Sequence, residues 1–210
     1  MIRITYFLLD YAADATVLDN SQCHYSGIFD WVDLTLVSRS TIPIHWYEWL
    51  ADRGSLTERL IDASDGQLLV QVIGQMDMLP SYSEADALNV SQSSPMLIRQ
   101  VVLSGQETPW IFARSAIPFS TLTGRQSSLR DIDSQPLGAV LFNDPSMTRA
   151  PVQISRQTAS SFSVPSTVCH QEEILWARRS VFLLENKPLL VAEIFLPTFK
   201  PYNQLLGQNR

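Results

Sequence analysis

Four charged residues interrupt stretches that otherwise read as buried β-strand. In "KPLLVAEIFLP" (187–197) Glu193 shares its two-residue spacing with Leu189, Val191 and Phe195. Side chains alternate across a strand, so residues two apart lie on one face. By the same spacing Arg99 falls with Leu97, Val101 and Leu103, and Arg114 with Trp110, Phe112 and Ala116. Arg179 falls with Leu175, Ala177, Val181 and Leu183, so Arg179 rather than Arg178 is expected to point to the core. A buried charge without a partner is strongly unfavourable, so each of the four needs one. Two chemistries meet that need. One is a buried ion pair, such as Glu193 with Arg99 or Arg179. The other is an internal pocket whose arginines bind an anionic ligand while the carboxylate contacts another part of it. Apolar walls with a few convergent polar groups are the usual make-up of such a pocket.

Other catalytic signatures are missing. The chain has no GxSxG, P-loop, HExxH or GxGxxG pattern. His24, His45 and His170 are far apart and read as structural or exposed. Cys23 and Cys169 form no CxxC and read as reduced thiols; their "CH" pairs lack the short spacings of a zinc site, so no metal is expected. Trp46 and Trp49, three apart, read as packing residues.

The elements that must position the charged residues come largely as hairpins. "MLIRQVVLSGQETPWIFARSAIP" is two apolar runs around a turn-forming "SGQET", and "ILWARRSVFLLENKPLLVAEIFLP" is a second pair turning at "ENK". "GQLLVQVIGQMDML" (66–79) and "MTRAPVQISRQ" read as further strands. Helices are expected in "STIPIHWYEWLAD", with Pro43 near its first turn, and in "GSLTERLIDA", where Ser55 and Glu58 have capping-box spacing. "SQPLGAVLF" (134–142) reads as a helix capped by Ser134. Residues 80–95 read as a Ser-rich polar connector and about 158–170 as a Ser/Thr-rich loop. Hairpins that do not alternate with helices predict the α+β class: a single domain, an antiparallel sheet with helices packed on one side. Residues 1–40 read as an N-terminal extension packed on a main domain at 41–210.

The 210 residues, 45% hydrophobic and 17% charged, suffice for one substantial core. A net charge of −6 argues against binding nucleic acid, and no apolar run approaches a membrane span or a secretory signal.

From about residue 41 to 197 a set of pieces occurs in a fixed order: "WLADRGSLTERL", "LIRQVVLSGQETPWIFARSAIPFSTLTG", "SQPLGAVLF", "MTR", "ARRSVF" and "KPLLVAEIFLP". This ordered set resembles the chorismate lyase (chorismate–pyruvate lyase) family. The resemblance implies a chorismate lyase-like α+β domain that removes pyruvate from chorismate and leaves 4-hydroxybenzoate, the aromatic head group for ubiquinone. It implies no metal or organic cofactor, and a monomeric cytoplasmic enzyme is expected. The family's carboxylate-binding arginine falls on Arg99 and its ring-oxygen carboxylate on Glu193. Backbone amides that hold the ring carboxylate fall at Leu56 and Leu137, and another site arginine falls on Arg114. Either Arg114 or Arg179 is left to hold the enolpyruvyl carboxylate. Leu56 stands where some members have Met, the N-terminal region is longer than in compact members, and the loop at about 157–174 is expanded. The rival reading is an effector module of the same fold that binds a small aromatic acid without turnover. Such modules normally follow a basic winged-helix DNA reader, for which residues 1–40 are too short and insufficiently basic.

Overall fold

The computed structural model of the chain describes residues 28–199. Residues 1–27 of the expected N-terminal extension, Cys23 and His24 among them, and residues 200–210 lie outside the described residues. Eight strands are present among the described residues: β1 (Phe29–Asp33), β2 (Leu68–Met78), β3 (Met96–Gly105), β4 (Thr108–Pro118), β5 (Thr148–Arg149), β6 (Gln153–Thr158), β7 (Ile174–Leu184) and β8 (Lys187–Phe195). They form one sheet in the order β1-β6-β7-β8-β4-β3-β2, with β5 also pairing β7. Every pairing is antiparallel.

Two hairpins with two-residue turns set the register of the central strands. Gln106 and Glu107 have φ of 50° and 63°, and Glu185 and Asn186 have the same pair of values. Positive φ at both central positions matches the right-handed twist of the flanking strands. The "MTRAPVQISRQ" stretch is one run broken at Ala150–Pro151: β5 and β6 lie end to end along β7. Proline cannot donate to the ladder, which accounts for the break.

Four α-helices are described: α1 (Ile44–Leu50), α2 (Leu56–Ala63), α3 (Tyr82–Leu88) and α4 (Leu137–Phe142). The Ser55 hydroxyl caps α2 by accepting from the Glu58 N–H at 3.3 Å. Pro43 and Pro136 occupy the cap positions of α1 and α4. Ser134, expected to cap α4, sits two residues before that position and makes no cap.

Three of the helices cover one face. Trp49 and Leu50 of α1, with Leu56 and Leu60 of α2, pack on Val101, Leu103, Ile111 and Phe195. Leu137 and Leu141 of α4 pack on Leu97, Ile117, Phe182 and Leu189. The opposite face is also covered. Leu88 of α3 packs on Ile98, Ala116 and Leu190, and the 159–169 loop brings Ala159, Phe162 and Val164 onto Phe112 and Ala177. The α+β class and the antiparallel sheet stand as expected, but the helices are not confined to one side.

α3 lies inside the stretch read as a polar connector. Ser81 and Glu84 form a complete capping box, and Asn89 closes the helix with φ of 52°. Its apolar stripe is only Ala85 and Leu88, too sparse to stand out among serines. Burial raises the Glu84 pKa, but the Arg114 guanidinium at 2.7 Å and the Ser81 N–H outweigh it and hold the carboxyl below its ordinary 4.5. A carboxyl with a depressed folded pKa adds stability that is full above its unfolded value and is lost as pH falls through the folded one. The Glu84→Gln variant is therefore expected to melt below the parent at pH 7, with the gap narrowing through the acid range. A gap that stays constant from pH 7 to about 3, below the ordinary glutamate range, would reject this role for Glu84.

Candidate functional site

The register of the central strands assembles one polar row on the α1, α2 and α4 face. Val101 pairs with Ala113, Ala113 with Glu193, and Glu193 with Arg178. Two residues along, Arg99 pairs with Ser115, Ser115 with Val191, and Val191 with Ser180. Paired residues share a face, so Arg99, Ser115, Glu193, Arg178 and Ser180 all point the same way. Arg99, Ser115, Glu193 and Arg178 line a cavity together with Leu56, Leu137, Gly138, Arg149, Phe142 and Phe182. The space is tight, about 40 Å³ measured at the centres of water-sized spheres. That is a few times the roughly 10–15 Å³ one water needs.

Arg178 is the most enclosed of the charges, with 1% of its surface exposed. Its Nε donates to Glu193 Oε2 at 2.6 Å, and one terminal nitrogen donates to the carbonyls of Trp49 and Asp52, both at 2.8 Å. Arg149 on β5 donates to Ser180 Oγ at 3.0 Å and to the Arg53 carbonyl at 2.9 Å, with its guanidinium over the Phe182 ring. Burial, and then the charge of Arg178, bring its pKa down to about 10. It stays protonated at neutral pH.

Arg99 is 2% exposed. It donates to the carbonyls of Asp133 at 2.6 Å and Gln135 at 3.1 Å, while its Nε has no partner. Burial lowers its pKa from the usual arginine value. Among the described residues no carboxylate lies within 4.0 Å of Arg99 or Arg149.

The bonds to backbone carbonyls fix both helix starts. Arg149 and Arg178 grip the 49–54 segment that leads into α2, and Arg99 grips the 133–135 segment that leads into α4. Leu56 and Leu137 are the first residues of those helices, so their amides have no acceptor within the helix. The two starts abut. A Cβ on Gly138 would come within 2.9 Å of Thr57 Oγ1, so glycine permits the close approach.

Arg99, Glu193, Leu56 and Leu137 are thus brought together as the sequence suggests. Arg114 and Arg179 are not. They pair through Ala192 on the opposite face, where Arg114 meets Glu84 and Arg179 meets Gln153. The expectation that Arg179 rather than Arg178 faces this core is corrected, and Glu193 pairs with neither Arg99 nor Arg179. The physical reason is that both faces of the sheet are buried, so apolar neighbours at two-residue spacing mark either one. The turn held the missing signal: counting outward from Glu185–Asn186 sets Arg178 opposite Glu193. Arg149, in "MTR", had no strand pattern to reveal it.

Breaking a buried ion pair by removing one partner costs roughly 3–5 kcal/mol, and Glu193 is partly solvated at 18% exposure, so the low end applies. Arg178→Met is expected to lose about 3 kcal/mol in urea unfolding, with Arg178→Met/Glu193→Leu recovering part of the loss. No loss in the single variant would show that the pair does not anchor the segment before α2.

A sequence profile described as Chorismate lyase matches residues 31–206. A protein of Psychromonas ingrahamii named "Probable chorismate pyruvate-lyase" is 37% identical over 166 residues, which is 77% of this chain and 87% of that protein. One of the same name from Photobacterium profundum is 36% identical over 188 residues, 90% of this chain and 92% of its own. Among solved structures, a GntR-family transcriptional regulator from Bacillus cereus is 12% identical with a TM-score of 0.48, covering 62% of this chain and 92% of that one. With the family profile spanning most of its length, this chain belongs to the chorismate lyase family.

Proposed function

We propose that the protein removes pyruvate from chorismate, leaves 4-hydroxybenzoate, and so supplies the head group of ubiquinone. The observation that carries this reading is the charge balance of the cavity. Among the described residues, Arg99, Arg149 and Arg178 line it with a single carboxylate, Glu193, which leaves two positive charges in excess. Chorismate carries two carboxylates, a ring hydroxyl and an enolpyruvyl ether. Arg99 on β3 and Arg178 on β7 are three strand spacings apart, roughly 14 Å between backbones. Their side chains can therefore meet opposite ends of one ring-sized ligand.

In this reading Arg99 exchanges a carbonyl acceptor for the ring carboxylate, and the Leu56 and Leu137 amides add donors. Glu193, whose Oε2 is held by Arg178, accepts from the ring hydroxyl through its other oxygen. Arg149 takes the enolpyruvyl carboxylate, the role that the sequence left to Arg114 or Arg179. The C–O bond of the ether then breaks, its electron pair becomes the carbonyl of pyruvate, and the hydrogen from the hydroxyl-bearing ring carbon ends on the pyruvate methyl. Aromatisation makes the step downhill, so the protein mainly orients the substrate and excludes water. No helix among the described residues is long and apolar enough to cross a membrane.

Purified protein incubated with chorismate is expected to release pyruvate and 4-hydroxybenzoate in equal amounts. Release no faster than spontaneous breakdown would leave a binding module of the same fold. Glu193→Gln is expected to cut turnover while the protein stays folded. Loss of one charged hydrogen bond corresponds to about tenfold or more, so Arg99→Ala should weaken 4-hydroxybenzoate binding by at least that factor in calorimetry. Arg149→Gln should instead raise KM for chorismate and leave 4-hydroxybenzoate affinity near the parent's, because that product lacks the second carboxylate. Equal loss of both affinities would reject the division of labour.

A further inference from the structure

The reverse face of the sheet holds a second cavity, lined by Trp31, Ser83, Glu84, Arg114, Arg179 and Ala192 among others. It offers about 110 Å³ by the same measure, more than the cavity on the front face. Arg114 is neutralised there by Glu84 through two contacts of 2.7 and 3.2 Å. Arg179 is not neutralised. It is 6% exposed and donates to Gln153 Oε1 at 2.7 Å and to Ser83 Oγ at 2.7 Å, both uncharged acceptors. Its guanidinium lies over the Trp31 ring at 4.5 Å. No carboxylate among the described residues lies within 4.0 Å of it. A buried cation that lines a cavity and rests on neutral acceptors gives an anionic ligand a charged partner there.

The surroundings narrow the class. Asp30, Asp86 and Glu84 act on Arg179 from a distance and favour its charged form, though burial dominates and brings its pKa down to about 10. Those acids disfavour a doubly charged guest more than a singly charged one. Phe162, Leu190, Ala192 and Ile194 supply apolar wall, and Ser161 and Ser163 also line the cavity. A planar guanidinium matches a carboxylate through paired hydrogen bonds. We infer that this reverse-face cavity is a second binding site, for a small monocarboxylate whose charge pairs with Arg179 and whose apolar end lies against Ala192 and Ile194. The inference does not depend on the front-face reaction, although pyruvate, which the proposed reaction would release, belongs to the class.

The indole N–H resonance of Trp31, assigned with Trp31→Phe, reports this cavity directly. Titration with pyruvate and with propionate is expected to move it saturably. Arg179→Gln should weaken the response by about tenfold or more, the worth of a charged hydrogen bond. Ala192→Leu, which fills the floor and leaves every charge in place, should abolish it, so the test survives if the arginine variant does not fold. Inorganic phosphate should give no saturable shift. A Trp31 resonance unmoved by either carboxylate, or moved equally in Ala192→Leu, overturns the site. Equal saturation by phosphate overturns the assignment to monocarboxylates. A front face that proves inactive toward chorismate leaves all of these readings unchanged.

Discussion

A guanidinium taken out of water must be surrounded by acceptors, and three on one sheet face cannot all find carboxylates. Here they find main-chain carbonyls. Arg149 and Arg178 hold the segment before α2, and Arg99 holds the segment before α4. The arrangement has two effects. It satisfies charges that would otherwise be very costly, and it brings two helix starts, rich in unpaired amides, over the same patch of sheet. The rigid strands thus position both the cations and, through them, the amide donors. Among the described residues Glu193 is the one carboxylate lining the cavity, so the lining keeps a positive excess that suits a dianion. A neutral carbonyl is a weaker partner for a cation than a carboxylate. These contacts are therefore ones that an anion can displace.

Burial of the sheet on both faces has a second consequence. Strand residues adjacent in sequence serve different compartments. Arg178 and Arg179 are neighbours on β7, and Ala192 and Glu193 on β8, yet each pair is divided between two cavities. The two compartments differ in how charge is balanced. On one side arginines rest on carbonyls and a shared carboxylate. On the other, one arginine is fully paired with Glu84 while its neighbour rests on Gln153 and Ser83.

Much of this was legible in the residues. The two hairpins, α1, α2 and α4 all announce themselves through periodicity and turn chemistry. Arg99 and Glu193 stand out as charges on apolar faces, and the ordered motifs give Leu56 and Leu137. What escaped did so for identifiable reasons. α3 has a capping box but too few apolar residues to look like a helix. Alternation gives the residues that share a face and not which face holds the site, so Arg179 stood in for Arg178. Arg149 sits in a two-residue strand, where no periodicity can be read. Local patterns reported the elements well, whereas the identity of the site's cations depended on pairing between strands.

The Glu185–Asn186 turn also decides which residues enter each cavity. Hairpin tips are usually where insertions and deletions do least harm. This one works as a selector. Moving the register of β7 against β8 by one residue would turn every side chain of the shifted strand to the other face. Arg178 would leave the front cavity, Arg179 would enter it, and Glu193 would face a different neighbour with no residue in either cavity altered. The length of a solvent-exposed turn thus sets the chemical composition of a site buried well away from it, and it should be among the least variable lengths in the molecule.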